Sequence, residues 1–167
     1  MHELDDDSLV GLFRSGAGDA FDALFARYHR MVFNYAHLMT GDRHSAEDIL
    51  QETFVAVATS ADRYEASGRF RSWLMTICRN RCLALLERLR TRRRLMEESG
   101  FQLVKPPTPS VSVEEGLAHR EDLARLREYL KQLPEASREA LLLYAFDSLT
   151  YAEIAHVLGR PINTVKT

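Results

Sequence analysis

A proline-rich segment at residues 99–115 constrains the fold of this chain more than any other feature of its sequence. It holds three of the chain's five prolines, interleaved with serine and threonine. Proline removes a backbone donor and clashes with the preceding helical turn, so a regular helix cannot run through this segment. Because helical apolar spacing flanks it, we expect two small helical domains, residues 1–98 and 116–167, joined by a flexible Pro-rich linker.

Residues 1–98 have the pattern of a four-helix bundle. The second predicted helix is long, is capped by Asp19 and ends at Gly41, and its apolar residues recur at intervals of three and four. Strand-like alternation and hairpin dipeptides do not occur, so the fold class is predicted to be all-α. The other predicted helices are Ser8–Arg14 capped by Asp7, Ser45 to about Ala61, and about Phe70 to the cluster Arg92–Arg94, with Phe70, Trp73, Leu74, Ile77, Cys78, Leu85 and Leu89 on the buried side of the last.

Residues 116–167 fit a helix-turn-helix. After helices at about 117–133 and 135–146, a capping box at Thr150 and Glu153 predicts a helix that ends at Gly159. A helical hairpin without a DNA role uses the same caps and glycine, so both interpretations of this motif stay open. The last helix starts near residue 163 and is very short, so we expect the natural chain to continue. The residues at helix-turn-helix positions are Ala155, Gly159 and Val165, with Ile154, Leu158 and Ile162 as shared core.

The net charge of −2 conceals a strongly basic segment. Residues 1–68 carry 5 basic and 12 acidic side chains, residues 69–94 carry 9 and 1, and residues 95–167 carry 8 and 11. Nine arginines in one segment of an otherwise acidic chain are the electrostatic pattern of a phosphate-binding face. A solvated helix face with internal ion pairs has the same composition, so charge alone leaves this alternative open.

Several classes of protein are not favoured. No apolar run approaches the roughly 18 residues of a membrane span, and the acidic start is unlike a secretory signal. Two cysteines, Cys78 and Cys82, cannot build a disulfide framework and are predicted to be buried apolar residues. Nucleophile motifs, glycine-rich phosphate loops and convincing metal-ligand spacings do not occur. We therefore expect a cytoplasmic protein without enzymatic activity, metal, cofactor or membrane insertion.

Beyond these general patterns, the sequence resembles a known family. Region 2 of bacterial sigma factors is similar to AEDILQETF at 46–54, FRSWL at 70–74 and ICRN at 77–80. Region 4 is similar to LPEASREALLL at 133–143, LTYAEIA at 149–155, LGRP at 158–161 and TVK at 164–166. Nothing resembles region 1.1 or region 3. This architecture resembles the extracytoplasmic-function, or group 4, members of the sigma-70 family.

The resemblance implies a protein that binds the β′ and β subunits of core RNA polymerase, recognises the −10 and −35 promoter elements and promotes transcription initiation. An anti-sigma factor is implied as a further partner. The resemblance also implies that a face of the third helix docks on the coiled coil of β′. The residues implied there are Asp48, Gln51, Glu52 and Phe54, with core packing as an equal alternative for Phe54.

For promoter DNA, the resemblance implies that the loop at 62–68 and the fourth helix meet the −10 element. Asn80 is expected to bond a base edge while arginines hold the backbone. Loop packing is an equal alternative for Tyr64, and Trp73 is expected in the core. Ala84 replaces an aspartate common in the family, which affects fine promoter specificity. The residues implied are Tyr64, Arg69, Arg71, Arg79, Asn80 and Arg81 for −10, and Asn163, Thr164, Lys166 and Thr167 for −35.

Promoter geometry demands a long reach. Elements about 25 base pairs apart lie about 85 Å apart, whereas a 17-residue linker spans at most about 60 Å. The linker must then be nearly extended, with the domains supplying the rest. A stand-alone helix-turn-helix regulator and a purely helical interaction protein are the alternatives, and the two ordered motif sets favour the sigma factor over both.

Overall fold

The computed structural model describes residues 4–99, 125–126, 128–130, 132–147 and 149–166. All regular structure in these ranges is helical, which confirms the predicted fold class. None of the helices described is long and apolar enough to cross a membrane. The helices are α1 (Asp6–Arg14), α2 (Gly18–Thr40), α3 (Arg43–Ser60), a 3-10 turn (Ala61–Arg63), α4 (Phe70–Glu98), α5 (Glu135–Asp147), α6 (Tyr151–Leu158) and α7 (Ile162–Lys166).

Helices α1 to α4 form the N-terminal bundle around the apolar stripe of α2. Leu24, Val32 and Tyr35 on this helix are fully buried, as the three-four spacing predicts. Helix α2 packs against α1, α3 and α4, so one helix organises the whole core. Cys78 and Cys82 are buried as free thiols on the inner side of α4, which agrees with their prediction as small apolar residues.

Helix starts differ from prediction by a few residues. The carboxylate of Asp42, rather than Ser45, caps α3, and it accepts hydrogen bonds from the backbone N–H and the hydroxyl of Ser45 at 2.8 and 2.7 Å. Asp5, rather than Asp7, caps α1. Asp19 does not cap α2, because that helix already begins at Gly18. Where several cap-competent residues lie close together, only the backbone geometry selects one.

Helix α4 is longer than predicted and extends beyond the bundle. It continues past the arginine cluster to Glu98, whose carboxylate lies 3.7 Å from Arg94 one turn earlier. Such pairs, four residues apart, support an exposed helix. The prediction that Leu89 is buried is wrong, since it is 48% exposed on this projecting half.

The C-terminal module comprises the described residues 132–166, and it packs directly on the N-terminal bundle. Helix α6 lies against α4, and α5 lies against α2. One apolar cluster runs through both units, from Leu24 and Leu74 to Leu142 and Ile154. Most of the linker and of the predicted helix at 117–133 lies outside the described residues, so the domain boundaries at 98 and 116 stay predictions.

The cap of α3 yields a stability prediction. Asp42→Ala should lower the free energy of unfolding by about 1 kcal/mol, because the first turn of α3 loses its acceptor. The hydrogen bond from the Ser45 backbone N–H lowers the pKa of Asp42. The stabilisation is therefore fully present above the unfolded value of about 3.9 and is lost as the pH falls through the folded pKa.

Urea unfolding at pH 7 and near pH 3 measures this difference. Asp19→Ala is the matched control, because that carboxylate lies in a first helical turn but does not cap it, and it should cost about 0.5 kcal/mol or less. Equal losses for the two variants would contradict the assignment of the cap.

Candidate nucleic-acid and protein interfaces

One face of α3 is acidic and exposed. Asp48, Gln51 and Glu52 all point to solvent, as their spacing of three and four residues predicts. Val55, one turn further along, is 62% exposed, which is unusual for a branched apolar side chain on a packed helix. Sequence reasoning missed Val55, although the same spacing places it on this face.

Cations from α4 border this acidic face. The Arg81 guanidinium lies 3.7 Å from the Glu52 carboxylate, and both side chains are about half exposed. Arg81 and Arg88 line one shallow depression together with the four α3 residues. The face is therefore a rigid surface of mixed charge with an apolar centre, a composition suited to a protein partner.

Phe54 does not belong to this face. It is 3% exposed and packs in the core, with its ring centroid 4.8 Å from that of Phe25 and 6.0 Å from that of Phe21. Its predicted direct contact with a polymerase is therefore not supported by its position, and core packing is the alternative that the structure shows. The period of the helix explains this, because positions 48, 51, 52 and 55 share one side and 54 lies on another.

Tyr64, in the loop at 62–68, is buried rather than displayed. It is 5% exposed, and its ring lies 5.0 Å from Trp73 and 5.7 Å from Phe70, centroid to centroid. Its hydroxyl donates a 2.5 Å hydrogen bond to Asp7. Burial, and then this bond, raise the pKa of Tyr64 to about 12. Loop packing is thus the role that the structure shows for Tyr64, and Trp73 belongs to the same aromatic cluster.

Helix α1 clamps this loop at both ends. The Arg14 side chain donates to the carbonyl oxygen of Ala61 from Nε at 2.8 Å, and also to that of Tyr64. Asp7 accepts from the backbone N–H of Gly68 at 2.8 Å, where a φ of +68° favours glycine. The loop is thereby held in one shape beside the start of α4. These partners are about fifty or sixty residues apart in sequence, so no local pattern predicts the clamp.

The predicted −10 residues on α4 and directly before it fall into two sets. Arg69, Asn80 and Arg81 are exposed. Arg71 and Arg79 are partly buried, with side chains 31% and 20% exposed, because both form ion pairs with the C-terminal module. An accessible cationic side therefore remains on this helix, while part of it is neutralised within the chain.

The deeper of the two ion pairs joins Arg79 to Glu139 on α5. Nε and Nη2 of Arg79 both donate to Oε2 of Glu139, at 3.0 and 2.8 Å. The other carboxylate oxygen of Glu139 is buried and finds no hydrogen-bond partner among the described residues, and the same holds for the hydroxyl of Tyr35. An unpartnered buried polar atom costs about 1–3 kcal/mol, so the polar interactions at this junction are incomplete.

The second ion pair joins Arg71 to Glu153 on α6. Nη2 of Arg71 donates to both carboxylate oxygens, at 3.0 and 3.1 Å. Glu153 also completes the predicted capping box with Thr150, which is confirmed. Partial burial raises the pKa of Glu153, but the hydrogen bonds from Thr150 and Arg71 outweigh burial and hold it below its usual value.

The helix-turn-helix forms as the sequence predicts. Gly159 ends α6 with a φ of +62°, and Val165 on α7 packs against the core. Ile162 is 38% exposed rather than part of the shared core, because it lies at the start of α7. Asn163, Thr164 and Lys166 are exposed on α7, and Thr167 lies outside the described residues.

Two family models match the chain. The model described as "Sigma-70 region 2" matches residues 24–94, and the model described as "Sigma-70, region 4" matches residues 123–167. The two matches lie in the expected order, one on each module. Helix α1 precedes the first match, so the clamp on the loop is partly built from residues outside it.

Three similar curated proteins are named as RNA polymerase sigma factors. RNA polymerase sigma factor CarQ of Myxococcus xanthus is 34% identical over 88% of this chain and 81% of that protein. ECF RNA polymerase sigma factor SigM of Bacillus subtilis is 30% identical over 83% of this chain and 81% of that protein. The chain spans only 60% of a third such relative, BldN of Streptomyces coelicolor.

Two solved structures are similar over most of the chain. CnrH in complex with the cytosolic domain of CnrY is 26% identical, with a TM-score of 0.74 over 96% of this chain and 87% of that one. The sigma factor RpoE in complex with the anti-sigma factor NepR from Bartonella quintana is 24% identical, with a TM-score of 0.68 over 87% of both chains, and shows the fold alone.

The loop clamp yields a second prediction. Asp7→Ala should lower the free energy of unfolding by about 1–3 kcal/mol, because the Tyr64 hydroxyl and the Gly68 N–H lose a charged acceptor. Hydrogen exchange at the Gly68 amide should accelerate, as followed by NMR. Asp22→Ala removes an exposed carboxylate from α2 and should change neither quantity appreciably. Unchanged exchange at Gly68 in Asp7→Ala would show that α1 does not order the loop.

Proposed function

Because the chain belongs to the extracytoplasmic-function group of the sigma-70 family, whose members serve RNA polymerase in promoter recognition and transcription initiation, we propose that its surfaces divide this work. Sigma factors are not enzymes. The α3 face holds the polymerase, the exposed side of α4 holds the melted −10 strand, and α7 meets the −35 duplex. Matches to both regions, in order, argue against a stand-alone helix-turn-helix regulator.

The observation that carries the proposal is the display of Asp48, Gln51 and Glu52 on one rigid side of α3. Acidic side chains around the exposed Val55 suit a partner with cations around an apolar centre. Asp48, Gln51 and Glu52 correspond to the motif by which members of the family dock on the β′ coiled coil. Phe54 supports this face from the core without contacting the partner.

For the −10 strand, we propose that Asn80 reads a base edge. Its exposed amide offers both a donor and an acceptor. Arg81 on the same helix and Arg69, directly before its first residue, are also exposed and can hold phosphates. Arg71 and Arg79 would also hold phosphates once they are released from their ion pairs with Glu153 and Glu139. Tyr64 and Trp73 support the loop from beneath, so base stacking on Tyr64 would require that cluster to open.

For the −35 element, we propose that Asn163, Thr164, Lys166 and Thr167 face the major groove. The first three are exposed on α7, which begins at Ile162, and the first residues of a recognition helix are the ones that meet base edges. The region 4 match extends to residue 167 and includes this helix.

Two wider proposals follow from the family. We propose a cytoplasmic location, because core polymerase and promoter DNA are the partners that the family serves. We also propose an inhibitory protein partner of the anti-sigma kind. CnrH, which is similar to this chain over both modules, is known in complex with the cytosolic domain of another protein, CnrY. A partner of this kind would cover surfaces that the polymerase or the promoter needs.

The polymerase face is tested by charge reversal. Glu52→Lys should weaken binding to core RNA polymerase about tenfold, which corresponds to about 1.4 kcal/mol. The reason is that the new lysine repels a polymerase surface whose cations bind the acidic face of α3. Glu98→Lys, at the far end of α4, is the matched control and should change affinity less than twofold. Fluorescence anisotropy with labelled protein measures both. Equal losses in the two variants would overturn the assignment to α3.

The promoter face is tested by Asn80→Ala. Promoter opening, followed by permanganate reactivity of unpaired thymines, should fall at least about tenfold, because one base loses its hydrogen bonds. Affinity for core polymerase should stay within twofold, since Asn80 lies outside the α3 face. If polymerase affinity fell as much as opening, the proposed division between α3 and α4 would be wrong.

A further inference from the structure

We propose that Asp7 and Arg14 on α1 are positioning residues for the −10 contact, which hold the loop at 62–68 in the shape that meets the promoter strand before that strand binds. The proposal rests on the proposed function, in which this part of the bundle holds the melted −10 strand. It adds that selectivity for the −10 sequence depends on a helix that acts on the strand only through the loop. The region 2 match begins at residue 24, so both positioning residues lie outside it.

A single carboxylate closes the second half of the loop. Oδ1 of Asp7 accepts a hydrogen bond from the Tyr64 hydroxyl at 2.5 Å, and Oδ2 accepts one from the backbone N–H of Gly68 at 2.8 Å. Tyr64 and Gly68 flank residues 65–67, all of which are exposed. This stretch is therefore fixed at both ends to one group on another helix, while its middle is presented to solvent directly before α4.

Arg14 fixes the first half of the loop through backbone atoms. Its guanidinium donates from Nε to the carbonyl oxygen of Ala61 at 2.8 Å, and from Nη2 to the carbonyl oxygen of Tyr64. Because both acceptors belong to the backbone, these bonds set the path of the chain whatever side chains the loop carries. Together with the carboxylate of Asp7, they determine the course of the chain from Ala61 to Gly68.

Other residues hold α1 on the bundle. Leu9 and Val10 are buried on the inner side of this helix, and the carboxylate of Asp6 accepts a hydrogen bond from the hydroxyl of Tyr28 on α2. The hydrogen bonds of the two positioning residues go to the loop instead. Substitution of either one should therefore free the loop while α1 stays attached, so an effect on the loop can be measured apart from the fold.

A loop that is fixed beforehand discriminates better between bases. Ordering a mobile loop costs conformational entropy at the moment of binding, and a loop already in shape avoids that cost. A mobile loop can also adjust to a wrong base, whereas a fixed loop leaves the polar groups of that base without partners. The exposed carboxylate of Glu65 and hydroxyl of Ser67 are groups that a base edge can meet. Release of the loop should therefore reduce discrimination at the −10 element.

The test measures base selection by the full chain together with core RNA polymerase. The templates are a pool in which random sequence precedes a transcribed barcode, so that sequencing the transcripts gives the enrichment of each base at each upstream position. A good base contact discriminates roughly 5- to 150-fold. Asp7→Ala should lower the enrichment of the preferred bases within the −10 element about threefold or more. Enrichment within the −35 element, measured in the same reaction, should change less than about 1.5-fold, because the clamp includes no residue of the C-terminal module.

Three further variants sharpen the comparison. Asp7→Asn keeps the shape of the side chain and one carbonyl oxygen as acceptor, so discrimination at −10 should recover in part. Arg14→Ala frees the first half of the loop and should give a loss like that of Asp7→Ala, and it decides the matter if Asp7→Ala does not fold. Asp42→Ala is the stability control, because it removes a cap from α3 without touching the loop, and it should change discrimination at −10 less than about 1.5-fold.

The outcomes separate the positioning role from the proposed function. A loss confined to the −10 element in Asp7→Ala or Arg14→Ala, with partial recovery in Asp7→Asn, supports the positioning role. Unchanged discrimination at −10 in both alanine variants, equal losses at −10 and −35, or an equal loss in Asp42→Ala overturns the positioning role and leaves the proposed function standing. If the unaltered chain enriches no base at −10, the proposed function is itself contradicted, and the positioning role fails with it.

Discussion

The guanidinium groups of Arg71 and Arg79 can satisfy one set of anions at a time, and the behaviour of the molecule depends on this constraint. Both project from α4, which also carries the buried Leu74 and Cys78 of the bundle core. The core therefore fixes where these cations stand. Whichever anions neutralise them, carboxylates of the C-terminal module or phosphates of a promoter strand, must dock at the same place.

Local signals predicted much of this structure. The left-handed glycines at 41 and 159 and the capping box at Thr150 stand where the sequence placed them, because each depends on residues within one helical turn. Errors arose where several residues could perform one local task, as with Asp42 and Ser45 at the start of α3. The acidic face of α3 was predictable because it too depends on local sequence: the helical period alone brings Asp48, Gln51 and Glu52 to one side of the helix.

Contacts between distant residues could not be predicted. Asp7 and Tyr64 are 57 residues apart, and Arg71 and Glu153 are 82 apart. No periodicity links such positions, so their pairing follows only from the packed fold. The basic segment illustrates both outcomes. Part of it forms ion pairs within α4, as between Arg94 and Glu98, which fits a solvated helix face. Another part forms ion pairs with carboxylates of the C-terminal module.

The most direct test of this account is run-off transcription by core RNA polymerase on a library of genomic promoter fragments, with and without the chain. We expect a small set of discrete transcripts that appear only when the chain is added and that share sequence near positions −10 and −35. Core polymerase that gives the same transcripts in both reactions would contradict the account.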